Sequence, residues 1–180
     1  MPSDRRVLVG YVWQFCYCRE EKYYPYEDPQ DFSYRIQPKA NAPDLLRRAL
    51  SRVPVDLVGT GDYQPAERKY GLSRQMLKVC LELGFPLFVL ERSPLILRDL
   101  DLLLAIDERA VAAVAFSIIS TPDSPGYGRV RQMERLAPPP EKRFAAMERI
   151  ASAGILAGTW MTPSLPKLCD DDANLRNVVK

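Results

Sequence analysis

The chain has 180 residues, with 25 Lys plus Arg against 23 Asp plus Glu, four Cys, sixteen Pro and no His. A domain takes roughly 100–200 residues and a complete eight-unit β/α barrel about 250, so the length fits one whole or incomplete domain but not a full barrel. The lack of His excludes imidazole triads and dyads, His-ligated zinc and His-ligated haem, leaving Cys, Asp, Glu, Lys, Arg, Tyr or a cofactor to carry any chemistry.

The net charge of +2 is evenly spread: residues 1–90 hold 13 basic and 11 acidic side chains, residues 91–180 hold 12 of each. No basic stripe calls for nucleic acid. Apolar runs such as residues 111–116 fall far short of the ~18–20 residues that cross a bilayer. The first apolar run, ending before Trp13-Gln14, is too short for a signal peptide. Four cysteines, two of them nearly adjacent, do not resemble a secreted disulfide framework. We expect one domain over residues 1–180, in a reducing cytoplasm and away from membranes.

Five apolar runs rich in Val and Ile predict strands: residues 7–12, 55–58, 87–90, 111–119 and 155–160. Nearly continuous runs of this kind suit strands covered on both faces, as in a parallel sheet. Amphipathic stretches lie between them. Asn41 as a cap with Pro43 in the first turn predicts a helix whose face is Leu45, Leu46, Ala49 and Leu50. Ser73 opens a second, with Met76, Leu77, Cys80 and Leu81 inward and Gly84 as its stop. Leu100, Leu103 and Leu104 mark a third. Pro140 opens a fourth, with Phe144, Met147, Ile150 and Ala151 inward, ending at Gly154. Strand and helix in alternation predict a parallel α/β sheet with right-handed crossovers. After the fifth run residues 171–180 suffice to begin one helix, so the pattern is cut short there.

In such folds chemistry gathers at the carboxyl ends of the strands. Those ends read Gly59-Thr60-Gly61-Asp62, Glu91-Arg92-Ser93, Ser117 with Ser120-Thr121, and Thr159 with Thr162. The long connection over residues 13–40 carries Cys16, Cys18, Tyr17, Tyr23, Tyr24, Tyr26 and Tyr34. Irregular connections beyond ~12–15 residues are usually functional or disordered, and the aromatic content speaks against disorder. It is the expected active region.

Each constellation has a bland counterpart. Cys16 and Cys18 are either thiolate ligands of a shared metal or two thiols without one. Gly59-Thr60-Gly61-Asp62 is a weak nucleotide-binding turn, lacking a third glycine before the helix, or a simple tight turn. Glu91-Arg92 is more simply an internal ion pair than a carboxylate-binding site. Asp170-Asp171-Asp172 is better explained as a helix cap than as a metal site. Pro138-Pro139-Pro140 is a stiff lead-in to a helix.

Taken in order, several stretches resemble one family. Gly59-Thr60-Gly61-Asp62-Tyr63-Gln64-Pro65-Ala66-Glu67-Arg68 is similar to the "GT…DPYQPxE" segment of radical S-adenosylmethionine (SAM) enzymes of the spore photoproduct lyase-like group. Leu72-Ser73-Arg74-Gln75, the stretch from Ser93 to Leu103, and Ser117-Ile118-Ile119-Ser120-Thr121 continue the likeness. So do Ala137-Pro138-Pro139-Pro140-Glu141-Lys142-Arg143, Ala153-Gly154-Ile155 and Pro163-Ser164-Leu165-Pro166. The resemblance covers about residues 15–172 and implies a partial (β/α)6-type TIM-like barrel, here truncated after about the fifth strand. It implies a 4Fe–4S cluster held by CxxxCxxC after the first strand, binding SAM and reducing it to a 5′-deoxyadenosyl radical, with an electron donor.

Aligned on the end of that motif, Cys16 is the third cysteine, while Trp13 and Val9 stand at the second and first; Cys18 is the nearby substitute. Gly61-Asp62 replaces a longer family stretch, and Arg92 stands where a Lys is common. The resemblance assigns Cys16 and Cys18 to the metal, and Tyr17, Gly59, Thr60, Asp62, Arg92 and Ser117 to the SAM pocket, Arg92 at the carboxylate and Ser117 as a strand-end hydroxyl. DNA is a substrate for some members, without support from the charge of this chain. Alternatives are a degenerate or truncated barrel lacking the cluster, and a nucleotide-binding α/β module.

Overall fold

Four of the five expected strands form one parallel sheet in the computed structural model, which describes residues 31, 35–61 and 63–179. In chain order the elements are α1 (Ala42–Leu50), β1 (Val58–Thr60), α2 (Glu67–Tyr70), α3 (Leu72–Leu83) and β2 (Leu87–Glu91). A 3₁₀ segment (Pro94–Asp99) leads into α4 (Leu100–Arg109), followed by β3 (Ala112–Ser117) and α5 (Tyr127–Met133). Then come α6 (Pro140–Ser152), β4 (Leu156–Trp160) and α7 (Asp172–Val179). The expected strand at 7–12 and the cysteine-bearing part of the long connection lie outside the described residues.

The strands lie in sequential order, β1-β2-β3-β4, all neighbours parallel. Alternate residues divide the sheet into two faces. Val58, Leu87, Val89, Ala112, Val114, Phe116 and Ala157 share one face and enter a single core. Against them pack Leu77 and Cys80 of α3, Leu103 and Ile106 of α4, Ala146 and Ile150 of α6, and Val178 of α7. The other face carries Gly59, Phe88, Leu90, Ala113, Ala115, Ser117, Leu156, Gly158 and Trp160. None of these joins the helix-packed core.

Among the described residues the helical layer covers one face, and on the other Ala115 and Ser117 are also buried. Leu156 remains 70% exposed. On the helix-free face the rings of Phe88 and Trp160 meet at 5.8 Å between centroids, joining β2 to β4 across the small side chains of β3.

Local signals explain most element ends. Gly84 closes α3 at φ 72°, a left-handed conformation that a Cβ disfavours. Pro140 opens α6 in its first turn. Four details differ. Asn41 makes no side-chain cap bond. Gly71, not Ser73, precedes α3, and Ser73 lies buried inside it. Leu45, Ala49 and Ala151 are exposed, because each helix presents only a narrow stripe to the sheet. β1 begins at Val58, leaving Val55 and Leu57 exposed beyond Pro54.

Candidate functional site

The carboxyl ends of β1, β2 and β3 form one rim, and the expected pocket residues Gly59, Thr60, Arg92 and Ser117 all lie on it. Gly59 and Thr60 are paired strand residues, opposite Phe88 and Val89, rather than a turn after the strand. Gly59 is exposed and Thr60 half-buried, and both line a cavity of about 90 Å³ with Leu46, Val58, Met76, Leu77, Cys80 and Leu87. Gly61 then carries the chain under β2 at φ 152°; a Cβ there would meet the Leu90 carbonyl oxygen at 1.9 Å. Tyr17, Asp62, Cys16 and Cys18 lie outside the described residues.

At the end of β2, Glu91 and Arg92 do not pair through their side chains as expected. Glu91 turns its carboxylate onto backbone: Oε2 accepts the Tyr63 N–H at 2.8 Å, and Oε1 accepts those of Arg92 and Ser93 at 2.7 and 3.0 Å. A carboxylate accepting three N–H groups fixes the turn after β1 to the turn after β2. The Arg92 guanidinium reaches instead to Glu134, immediately after α5, where its Nη1 donates to Oε1. The second oxygen of Glu134 accepts Arg143 Nη2 at 2.7 Å. Arg143 completes its own donors on the Ser117 carbonyl (2.7 Å) and the Pro138 carbonyl (2.8 Å). Arg143, Glu134 and Arg92 are 0, 2 and 9% exposed.

Ser117 is buried, and its hydroxyl donates to the Thr162 carbonyl at 3.4 Å. Three residues on, the Ser120 hydroxyl is buried with no hydrogen-bond partner. Thr121 is held by Asn174, a fully buried residue of α7: Oδ1 accepts the Thr121 N–H at 2.8 Å. Asn174 Nδ2 donates to the Ile119 and Cys169 carbonyls at 2.9 and 2.8 Å. Asp171 caps α7 by accepting the Asn174 N–H at 2.9 Å, as the capping explanation requires, whereas Asp170 accepts the Lys167 N–H at 2.8 Å, ahead of the helix. The N–H of Asn174 and the Ser124 hydroxyl hold the Asp171 carboxyl below the usual range.

Beside the rim is a second ionic cluster. The Tyr63 hydroxyl donates to Asp99 Oδ2 at 2.9 Å, and Arg98 and Arg74 also donate to Asp99. Arg98 continues to Glu67 at 2.9 Å and Arg74 to Asp101 at 2.7 Å. Burial pushes the Asp99 carboxyl up, but Arg98, Arg74 and Tyr63 together outweigh it and hold it below the usual range. Burial and the neighbouring Asp99 raise Tyr63, which stays protonated.

Sequence reasoning passed over Glu134, Arg143, Asp99 and Asn174. One signal was present: Arg143 occupies an inward position of α6, with Pro140, Ala146 and Ile150, and a charge on such a stripe demands a buried partner. Cys80 and Cys169 are buried thiols raised by burial. Among the described residues no cluster of three Cys, Asp or Glu is arranged to hold a metal ion, and no helix is long and apolar enough to cross a membrane.

No family model matches the chain, and no solved structure matches it. A protein of Mycobacterium tuberculosis described only as uncharacterized is 28% identical over 174 residues, covering 92% of this chain and 50% of its own length. One of Mycobacterium bovis, described in the same way, matches to the same extent. An uncharacterized protein of Methanocaldococcus jannaschii is 26% identical over 178 residues, 94% of this chain and 64% of its own. The chain thus spans about half the length of the mycobacterial relatives.

Proposed function

We propose that the chain is a radical SAM-type partial barrel, similar to spore photoproduct lyase-like enzymes, with its ligand site on the carboxyl rim of the sheet. The observation that supports the barrel in this reading is the sequential parallel order with, among the described residues, helices packed on one face; the SAM part rests on the sequence resemblance. Right-handed crossovers that always advance in one direction put every helix on the same side, and such a sheet protects its other face by curling, as barrels do. A doubly wound nucleotide fold reverses its strand order at the binding crevice. The described strands contain no reversal, which disfavours the nucleotide-module alternative.

In this reading Cys16 and Cys18 would hold the 4Fe–4S cluster, and SAM would lie across the set that the resemblance assigns: Tyr17, Gly59, Thr60, Asp62, Arg92 and Ser117. The bound group would supply one-electron cleavage of SAM and a radical that abstracts hydrogen from a substrate; the protein's part is to hold both and exclude water. The rim suits a ligand in two respects. Gly59 is open on the helix-free face, and Ser120 holds a buried hydroxyl without a protein partner.

The donor set does not fit the family's cluster. The resemblance asks for three thiolates in one loop, and Val9 and Trp13 occupy two of those positions. We therefore derive no reaction step through the cluster. This shortage favours a second reading, a barrel of the same type that binds without cleaving SAM.

Reconstitution with iron and sulfide under nitrogen separates the two. The enzyme reading predicts a thiolate-to-iron absorption band that is lost in Cys16→Ala, and 5′-deoxyadenosine on addition of SAM and dithionite. Folded, colourless protein that releases no 5′-deoxyadenosine overturns it and leaves the cluster-free barrel.

A further inference from the structure

We propose that Arg92 is a lock that closes the rim, not the group that receives a ligand carboxylate. This inference rests on the proposed rim site and corrects one residue of it. The position after β2 is where the resemblance puts the SAM carboxylate partner, and a guanidinium there has the right charge and shape for one. Here its Nη1 already donates to an internal carboxylate, that of Glu134.

Glu134 accepts Arg92 on one oxygen and Arg143 on the other. Arg143 in turn donates through Nη1 to the Ser117 carbonyl and through Nε to the Pro138 carbonyl. The chain of contacts thus runs from the end of β2, through the residue after α5, to α6 and the end of β3. It fastens two neighbouring strand ends and the two helices behind them.

Burial makes the arrangement costly to open. Glu134 and Arg143 are at most 2% exposed. A ligand carboxylate that displaced Glu134 from Arg92 would leave a buried carboxylate short of one cation, and would have to be desolvated itself. Glu91 cannot take its place, because its oxygens accept three backbone N–H groups. The lock therefore persists whether or not the rim is occupied, and carboxylate recognition falls to other groups.

The test is a double-mutant cycle on the full chain, combined with equilibrium dialysis of S-adenosylhomocysteine, which carries the same carboxylate without the reactive sulfonium. Arg92→Met and Glu134→Gln each lower the urea midpoint, and the double variant loses clearly less than the sum of the two. Arg92→Lys, which keeps the charge, gives an intermediate midpoint and stands in should Arg92→Met fail to fold. In folded Arg92 variants, S-adenosylhomocysteine affinity stays within about twofold of the parent.

Strictly additive midpoints overturn the lock. A tenfold or larger loss of affinity in a variant with an unchanged midpoint overturns it too, and makes Arg92 a ligand residue. Should the parent chain not bind S-adenosylhomocysteine at all, the rim-site reading fails, while the cycle still decides the lock.

Discussion

The Tyr63 hydroxyl donates to the buried carboxylate of Asp99 at 2.9 Å, across 36 residues of sequence. The contact joins two of the stretches that carry the family resemblance, the one around Tyr63-Gln64-Pro65-Ala66-Glu67 and the one from Ser93 to Asp101. Arg98 closes the loop by bonding both Asp99 and Glu67, and Arg74 joins from α3. These residues build a support beneath the rim, on which the turn after β1 is seated.

Removing the donor tests this support. Tyr63→Phe keeps the ring and deletes one charge-assisted hydrogen bond, a loss of about 1.5–3 kcal/mol in urea unfolding. Asp99→Ala takes one carboxylate from two guanidinium groups that keep Glu67 and Asp101, and leaves the Tyr63 hydroxyl unpaired, a cost of about 1–3 kcal/mol. In the double variant the losses are not additive; full additivity would mean that the two side chains act independently.

The same cluster sets the acid response. Asp99 is held below the ordinary carboxylate range, and Arg74 brings exposed Asp101 down to about 2. Both bind a proton less tightly folded than unfolded, so their stabilisation is complete above the unfolded value of about 3.9 and is lost as pH falls through the folded values. With no His in the chain, the urea midpoint stays level from about pH 7 to 5 and declines from about pH 4.5 towards 2. Asp99→Asn flattens that decline. A marked drop between pH 7 and 5 would point to another titrating group.

Gly61 is a steric prediction. At φ 152°, with the Leu90 carbonyl oxygen 1.9 Å from any added Cβ, Gly61→Ala forces the ends of β1 and β2 apart. The cost is roughly 2–4 kcal/mol, with faster amide exchange at Tyr63. Unaltered exchange there would show that the approach relaxes without cost.

Asn174 anchors α7 to the segment after β3. Asn174→Ala leaves the Thr121 N–H and the Ile119 and Cys169 carbonyls without their partner, costing roughly 3 kcal/mol or more. Asn174→Asp keeps the acceptor for Thr121 but turns a buried carboxylate oxygen, which cannot donate, onto the two carbonyls, so it is no more stable than Ala. The comparison is read from thermal unfolding and from exchange at Thr121.

Periodicity made the sheet legible, because strand and helix patterns are local: β3 and β4 fall within the apolar runs, β2 passes the end of its run by Glu91 alone, and Gly84 and Pro140 mark helix ends as their backbone preferences require. The rim was legible only as a set of strand ends. Which groups meet there depends on partners far apart in sequence: Arg92 finds Glu134 42 residues on, and Thr121 finds Asn174 53 residues on. Glu91 ends β2 and Arg92 opens the turn after it; the turn brings backbone N–H groups onto the Glu91 carboxylate, so adjacency suggested a pair that is not made. Thr60, expected in a turn, is drawn into the ladder by Val89.

The most direct test of the rim as a ligand site is amide hydrogen exchange of the full chain with and without saturating S-adenosylhomocysteine. The account predicts slowed exchange at Gly59, Thr60 and residues 117–121, with little change at the amino ends of the strands. Unchanged exchange along the rim, or protection confined to the helical layer, would contradict it.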